Sequence, residues 1–171
     1  MNTIEQYIRD VQDFPKEGIQ FKDITTLLQD PKGINDCLTN LLNLLEDKKI
    51  DKVVGMESRG FFFGTLLAQK LNAGFVPVRK PGKLPYKSIS ESYELEYGTD
   101  NLEIHIDSIK KGEKVLVHDD VLATGGTAEA VKKLVERLGG EIVQFNFIMQ
   151  LDFLNGKEKL KGYNVQSVLN Y

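Results

Sequence analysis

The chain has 171 residues, 41% of them hydrophobic, a single cysteine and a formal net charge of -3. That length supplies one well-buried core and is short for two, so one domain over 1–171 is expected. Interspersed charges with no basic stripe exclude a nucleic-acid surface, and no stretch approaches the roughly 20 apolar residues of a membrane span.

The first residues, Met1 to Ile8, lack a basic region followed by an apolar run, and the lone Cys37 has no intrachain partner, so a cytoplasmic location is expected. Thr3 and Gln6 have the spacing of a capping box, and Ile4, Tyr7, Ile8 and Val11 share one helical face. A short opening helix is therefore expected, ending near Phe14-Pro15. Beyond Gly18, Asp30-Pro31 supplies an N-cap and first-turn proline for a longer helix, with Ile34, Cys37, Leu38, Leu41, Leu42 and Leu45 facing inward and Lys48 and Lys49 suiting its C-terminal end.

A strand, a turn and a helix follow from Lys52 through Gly60 to Leu71, then a strand at Phe75–Arg79. Lys80 to Ser92 is rich in Pro, Gly, Lys and Ser and reads as a mobile loop. It leads into alternating Tyr93, Leu95 and Tyr97, which Leu102, Ile104 and Ile106 can pair with as a hairpin. Val115–His118 is a strand, Thr127–Leu138 a helix, Glu141–Met149 a strand and Tyr163–Leu169 a final strand. This alternation implies an α/β fold: a mostly parallel twisted sheet with helices on both faces and the hairpin as an insertion at one edge. Ligands of such sheets sit beyond the carboxyl ends of the strands, so the turns at Met56–Gly60, Arg79–Lys83 and Asp119–Thr127 share one rim.

The third of these turns carries the most chemistry. In Ala123-Thr-Gly-Gly-Thr127, Gly125 and Gly126 let the backbone approach an anion, Thr124 and Thr127 add hydroxyl donors, and the following helix presents free N–H groups. Taken alone, such a turn is equally ordinary turn chemistry. Asp119 and Asp120 beside it need a hydrogen-bond donor, and a ribose 2,3-diol meets that need, so the whole segment suits a phosphorylated sugar. Arg59, in Gly55-Met-Glu-Ser-Arg-Gly60, offers a planar fork matched to phosphate oxygens. Arg79, Lys80 and Lys83 add cations, and together the loops suit a substrate with two separated phosphate groups. His105 and His118 are isolated, show no metal-ligand spacing, and are read as structural or surface residues.

The segment Val115 to Thr127 resembles the phosphoribosyl diphosphate (PRPP) motif of the type I phosphoribosyltransferases, in which a hydrophobic strand precedes two acidic residues and a Thr-Gly turn. His118 stands where a fourth apolar residue is common. Phe14 to Ile24, Glu57 to Gly64, Arg79 to Pro85, Tyr93 to Gly98 and Leu102 to His105 extend the likeness over nearly the whole chain, in order, to the adenine phosphoribosyltransferase branch of that family. The resemblance implies a single phosphoribosyltransferase domain with a small hood segment and a flexible loop bearing the antiparallel hairpin. It implies transfer of phosphoribose from PRPP to adenine, giving AMP and pyrophosphate.

By the same resemblance, Asp119 and Asp120 hold the ribose hydroxyls, and Ala123, Thr124, Gly125, Gly126 and Thr127 wrap the 5-phosphate. Arg59 binds the diphosphate beside a Glu57-Ser58 peptide that is cis in related enzymes, with Arg79 and Lys83 as further contacts. Adenine lies against Ile19, Gln20, Phe21 and Lys22, where relatives often have arginine at the Lys22 position. Glu96 is the acid/base and Tyr97 closes over the site. Mg2+ rides mainly on PRPP oxygens and water, with no dedicated protein ligand set, and the assembly is a homodimer. The PRPP motif says little about the base, so a transferase for hypoxanthine, guanine, xanthine or orotate stays open, as does a non-catalytic sensor of PRPP or purine.

Overall fold

Val53 and Val54, then Leu116 and Val117, are consecutive residues with no exposed surface. Strands of that kind need cover on both faces, which is the requirement of a parallel sheet wrapped by helices. The computed structural model describes residues 4–94 and 99–171. Its sheet contains β3 (Lys52–Met56), β4 (Gly74–Val78), β7 (Lys114–Leu122), β8 (Glu141–Gln150) and β9 (Val165–Asn170), all parallel, in the order β4-β3-β7-β8-β9.

On one face Val54, Val117, Phe145 and Phe147 pack with Ala128, Val131, Leu134 and Val135 of α4 (Gly126–Arg137). On the other, Val53, Leu116 and Ile148 meet Cys37, Leu38 and Leu41 of α2 (Pro31–Asn43) and Phe63 and Leu67 of α3 (Gly60–Lys70). Burial pushes the Cys37 thiol up to about 12, as befits an inert core residue. The Asp30 carboxylate accepts from Gly33 N at 2.8 Å with Pro31 at N1, as the sequence indicates. Helix α2 stops at Asn43, so Lys48 and Lys49 lie beyond its end rather than in its last turn.

The hairpin is β5 (Ser88–Glu94) with β6 (Thr99–His105), antiparallel, with Ile89 paired to Ile104 and Tyr93 to Asp100. It sits at the β4 edge, where Arg79 and Glu103 exchange backbone bonds of 3.0 and 2.7 Å, and it packs on α4 through Arg137 and the Ser90 carbonyl. The strand starts at Ser88, inside the stretch expected to be loop. Ile89 and Tyr93 pack against the core and Glu91 turns the same way toward α4, while Ser88, Ser90, Ser92 and Glu94 are exposed, a period-2 pattern masked by serines.

The opening helix is a correction. Within residues 4–12 the helix is reduced to one tight turn, Glu5–Tyr7, and Arg9–Gln12 is a strand, β1, paired antiparallel with β2 (Gln20–Asp23). A short helix, α1 (Thr25–Gln29), follows β2 and buries Leu27. Strand β7 also runs four residues past His118, so the acidic pair lies within it and Asp119 sits opposite Phe147 of β8.

Candidate active site

The carboxyl ends of β3, β7 and β8 open onto a cavity of about 380 Å³, roofed by the β1–β2 hairpin. Ile19, Gln20, Phe21 and Lys22 line it from that hood, Glu57 and Arg59 from the turn after β3, and Asp119, Asp120, Ala123 and Thr127 from β7 and its loop. Met149 and Leu151 at the end of β8 add an apolar wall. A smaller cavity directly beneath the loop is lined by Ala123, Thr124, Gly125 and Thr127 with Asp119 and Met56.

The loop owes its shape to Gly125, whose φ of 78° is left-handed backbone, and α4 begins at Gly126 with its first-turn N–H groups facing the same rim. Gly60 has a different reason to be glycine: a Cβ there would lie 2.9 Å from both Asp119 Oδ1 and the His118 carbonyl. Helix α3 can therefore start hard against β7, which brings Arg59 to the acidic pair. Arg59 Nε donates to Asp120 Oδ2 at 2.5 Å, and its guanidinium carbon lies 5.5 Å from the centre of the Phe21 ring. Burial first, then the neighbouring Asp120 carboxylate, pushes Asp119 well above the usual carboxylate range, while Asp119 Oδ1 accepts from Asp120 N at 2.9 Å.

Glu57 gathers the cations of the third loop. It accepts from Lys83 Nζ at 2.7 Å and from Lys80 N at 2.8 Å, and Arg79 lies 3.4 Å away. Burial opposes its ionisation, but these partners outweigh it and bring the carboxyl down to about 2. The Glu57-Ser58 peptide is cis. Of the residues singled out in the sequence, Arg79, Lys83, Ser58, Thr124, Gly125 and Gly126 do not line the larger cavity; Thr124 and Gly125 line the smaller one, and Arg79 and Lys83 reach the rim through Glu57. Glu96 and Tyr97 lie outside the described residues.

Lys22 is held by Asp10 at 2.7 Å and stacks its Nζ 3.9 Å above the Tyr171 ring. His118 is buried, with Nδ1 2.7 Å from Asn146 Oδ1, and His105 Nε2 lies 3.4 Å from Tyr86 N, so both are structural. The cavity also receives Lys80, one of the cations noted in the third loop, together with Tyr93, Leu102, Val121, Met149 and Leu151, which sequence reasoning did not assign to the site. For Met149 and Leu151 a signal existed, since they end a strand of the same parallel sheet. Tyr93 and Lys80 both bond Asp100 Oδ2, at 3.2 and 2.8 Å, a meeting that only the hairpin register creates.

Residues 23–167 match the family described as the phosphoribosyl transferase domain. The adenine phosphoribosyltransferase of Flavobacterium johnsoniae is 68% identical, over 98% of this chain and 99% of that one. The chain belongs to the adenine phosphoribosyltransferase family. The crystal structure of adenine phosphoribosyltransferase from Thermoanaerobacter pseudethanolicus is similar with a TM-score of 0.96 and 51% identity, covering 98% of each chain. That of the Saccharomyces cerevisiae enzyme, complexed with adenine and an imino-altritol bisphosphate, gives 0.92 and 41%, covering 97% of this chain and 96% of that one. The family accounts for the α/β sheet, the hood and the edge hairpin together.

Proposed function

We propose that this chain transfers the 5-phosphoribosyl group from PRPP to adenine, forming AMP and pyrophosphate in purine salvage. The observation that carries this reading is a cavity of about 380 Å³ bounded by the hood segment on one side and by the acidic pair with Ala123 and Thr127 on the other, next to a smaller cavity lined by Thr124 and Gly125. A flat base and a phosphorylated sugar fit those two walls, and the yeast relative is complexed with adenine and a bisphosphate.

In this reading the loop amides, Thr124 and Thr127 hold the 5-phosphate and the α4 N-terminus favours its charge. Asp119 and Asp120 receive the ribose hydroxyls. Asp120 supplies negative charge beside a sugar that becomes cationic as the C1 bond to diphosphate breaks. Arg59 takes the leaving diphosphate, supported at the rim by the Glu57-held cations Arg79 and Lys83. Phe21 and Ile19 offer the base apolar surface, and backbone groups at Gln20 and Lys22 read its edge. Glu96 exchanges the proton that adenine must lose, and Tyr97 helps exclude water that would capture the sugar.

Mg2+ belongs to the reading. The oxygen donors Asp119 and Asp120 suit a hard cation, yet Asp120 is already bonded to Arg59, so PRPP oxygens and water would supply most of the coordination. When bound, the ion neutralises charge on the diphosphate. A homodimer and a cytoplasmic location, supported by family likeness and by the free buried Cys37, complete it; sedimentation showing a monomer would overturn the former. Among the described residues no helix is long and apolar enough to cross a membrane.

The test supplies Mg2+ and PRPP with adenine, guanine, hypoxanthine, xanthine or orotate separately, following nucleotide and pyrophosphate. Product with adenine alone is expected. Product with another base only would discard the adenine pocket, and PRPP binding without product from any base would turn the chain into a sensor.

A further inference from the structure

Gly125 and Gly156, 31 positions apart, meet through bare backbone. A Cβ on Gly156 would lie 2.1 Å from the Ala123 carbonyl oxygen and 2.9 Å from Gly125 N, and one on Gly125 would lie 2.3 Å from the Gly156 carbonyl oxygen. Real Cβ atoms do not approach that closely, and both neighbours are backbone, so no flexible side-chain tip can swing aside. Gly125 needs to be glycine for its φ of 78° alone. Gly156 is not among the positive-φ residues, so close approach is what excludes a side chain there.

The segment that Gly156 opens is firmly seated. It forms a tight helical stretch, Gly156–Leu160, whose Leu160 is 1% exposed and belongs to the same core cluster as Val131 and Leu134 of α4. Just beyond it, Tyr163 O–H donates to Glu136 of α4 and its ring stands edge-on to Phe145. The segment and the loop are thus fixed to one helix from two sides.

We propose that Gly156 is a positioning residue for the phosphate loop: its bare Cα lets the 156–160 segment bear directly on Ala123–Gly125 and so aims the loop's N–H groups. This rests on the reading that the loop holds the 5-phosphate of PRPP. Hydrogen bonds weaken steeply with misalignment, so a displaced loop holds the 5-phosphate less tightly while the reacting carbon and the diphosphate keep their own contacts.

The experiment compares Gly156→Ala with Gly162→Ala. Gly162 has φ of 92° and open space around it, so its substitution strains the same stretch of chain without touching the loop. Gly156→Ala should raise the KM for PRPP by about tenfold or more and weaken ribose 5-phosphate binding in parallel, with kcat at saturating PRPP changed less than about threefold. Gly162→Ala should lower the melting temperature and leave the PRPP KM alone. An unchanged PRPP KM in Gly156→Ala, or an equal rise in both variants, overturns the proposal.

Should Gly156→Ala not fold, the wild-type amide resonance of Gly156 decides. It should shift on saturation with ribose 5-phosphate and not with adenine, and a resonance unmoved by ribose 5-phosphate overturns the proposal. Wild-type protein that binds neither PRPP nor ribose 5-phosphate would remove the phosphate-loop reading itself, and this inference with it.

Discussion

Arg59 and Asp120 are bonded across 2.5 Å although 61 positions separate them, and the Asp120 side chain is 4% exposed while that of Arg59 is 47% exposed. The group assigned to the diphosphate is therefore also the counter-ion of a carboxylate assigned to the ribose. Arg59→Ala should act twice. It strands a buried carboxylate, which should lower unfolding free energy by about 1–3 kcal/mol, between the limits for exposed and buried pairs. It should also raise the PRPP KM. Arg59→Lys should recover stability better than KM, because an ammonium lacks the planar fork. Denaturant unfolding and steady-state kinetics on both variants check this; wild-type stability in Arg59→Ala would show the pair to be energetically idle.

Glu57 carries a pH signature. Its carboxyl is held at about 2 in the folded protein, below its ordinary value of 4.5. The folded state then binds fewer protons than the unfolded state between those values, so the stabilisation is complete above about pH 5 and is lost as pH falls toward 2. In Glu57→Gln that segment of the stability–pH curve should flatten, and the KM for pyrophosphate in the reverse reaction should rise as Arg79 and Lys83 lose their anchor. Thermal unfolding between pH 2 and 6 tests the first point, and parallel wild-type and variant curves would refute it.

The sheet strands were legible as short apolar runs and α2 and α4 by their helical hydrophobic period, while α3, apolar nearly all round, and the three rim turns followed from the strand order. The N-terminal segment was not, since Ile4, Tyr7, Ile8 and Val11 satisfy a helical spacing. What makes Arg9–Gln12 a strand is its partner Gln20–Asp23, a tertiary fact. The acidic pair was misplaced at a strand end for a similar reason. Asp120 continues β7 because Arg59 from another element neutralises it there. The roles of Arg79 and Lys83 were blurred too, because their common acceptor Glu57 lies more than 20 positions upstream.

Lys22 lines the cavity from the hood, and its partners define what it does here. Asp10 of β1 and the Tyr171 ring hold it, so it braces the hood rather than extending freely. Lys22→Ala and Tyr171→Leu should each raise the adenine KM about threefold to tenfold, the range expected for losing a partly desolvated cation–π contact, with the PRPP KM unchanged. Equal shifts in both KM values would mean that the pair supports the fold as a whole.

His118 provides a second and separate acid-sensitive element. Burial is the main cause that brings its imidazole down to about 4, against smaller upward pulls from Asn146 and Asp120. On unfolding, the ring returns to its ordinary value of 6.5 and takes up a proton at any pH between the two, so stability falls as pH drops from about 6.5 to 4. Over that window the loss should reach about 2–4 kcal/mol. The window lies above the one set by Glu57, which lets the two be told apart. His118→Gln keeps an amide to face Asn146 and cannot titrate. Whatever its absolute stability, its unfolding free energy should be nearly level across the upper window where the wild type slopes by close to one proton. Identical slopes would mean that the buried ring already gains its proton in the folded state.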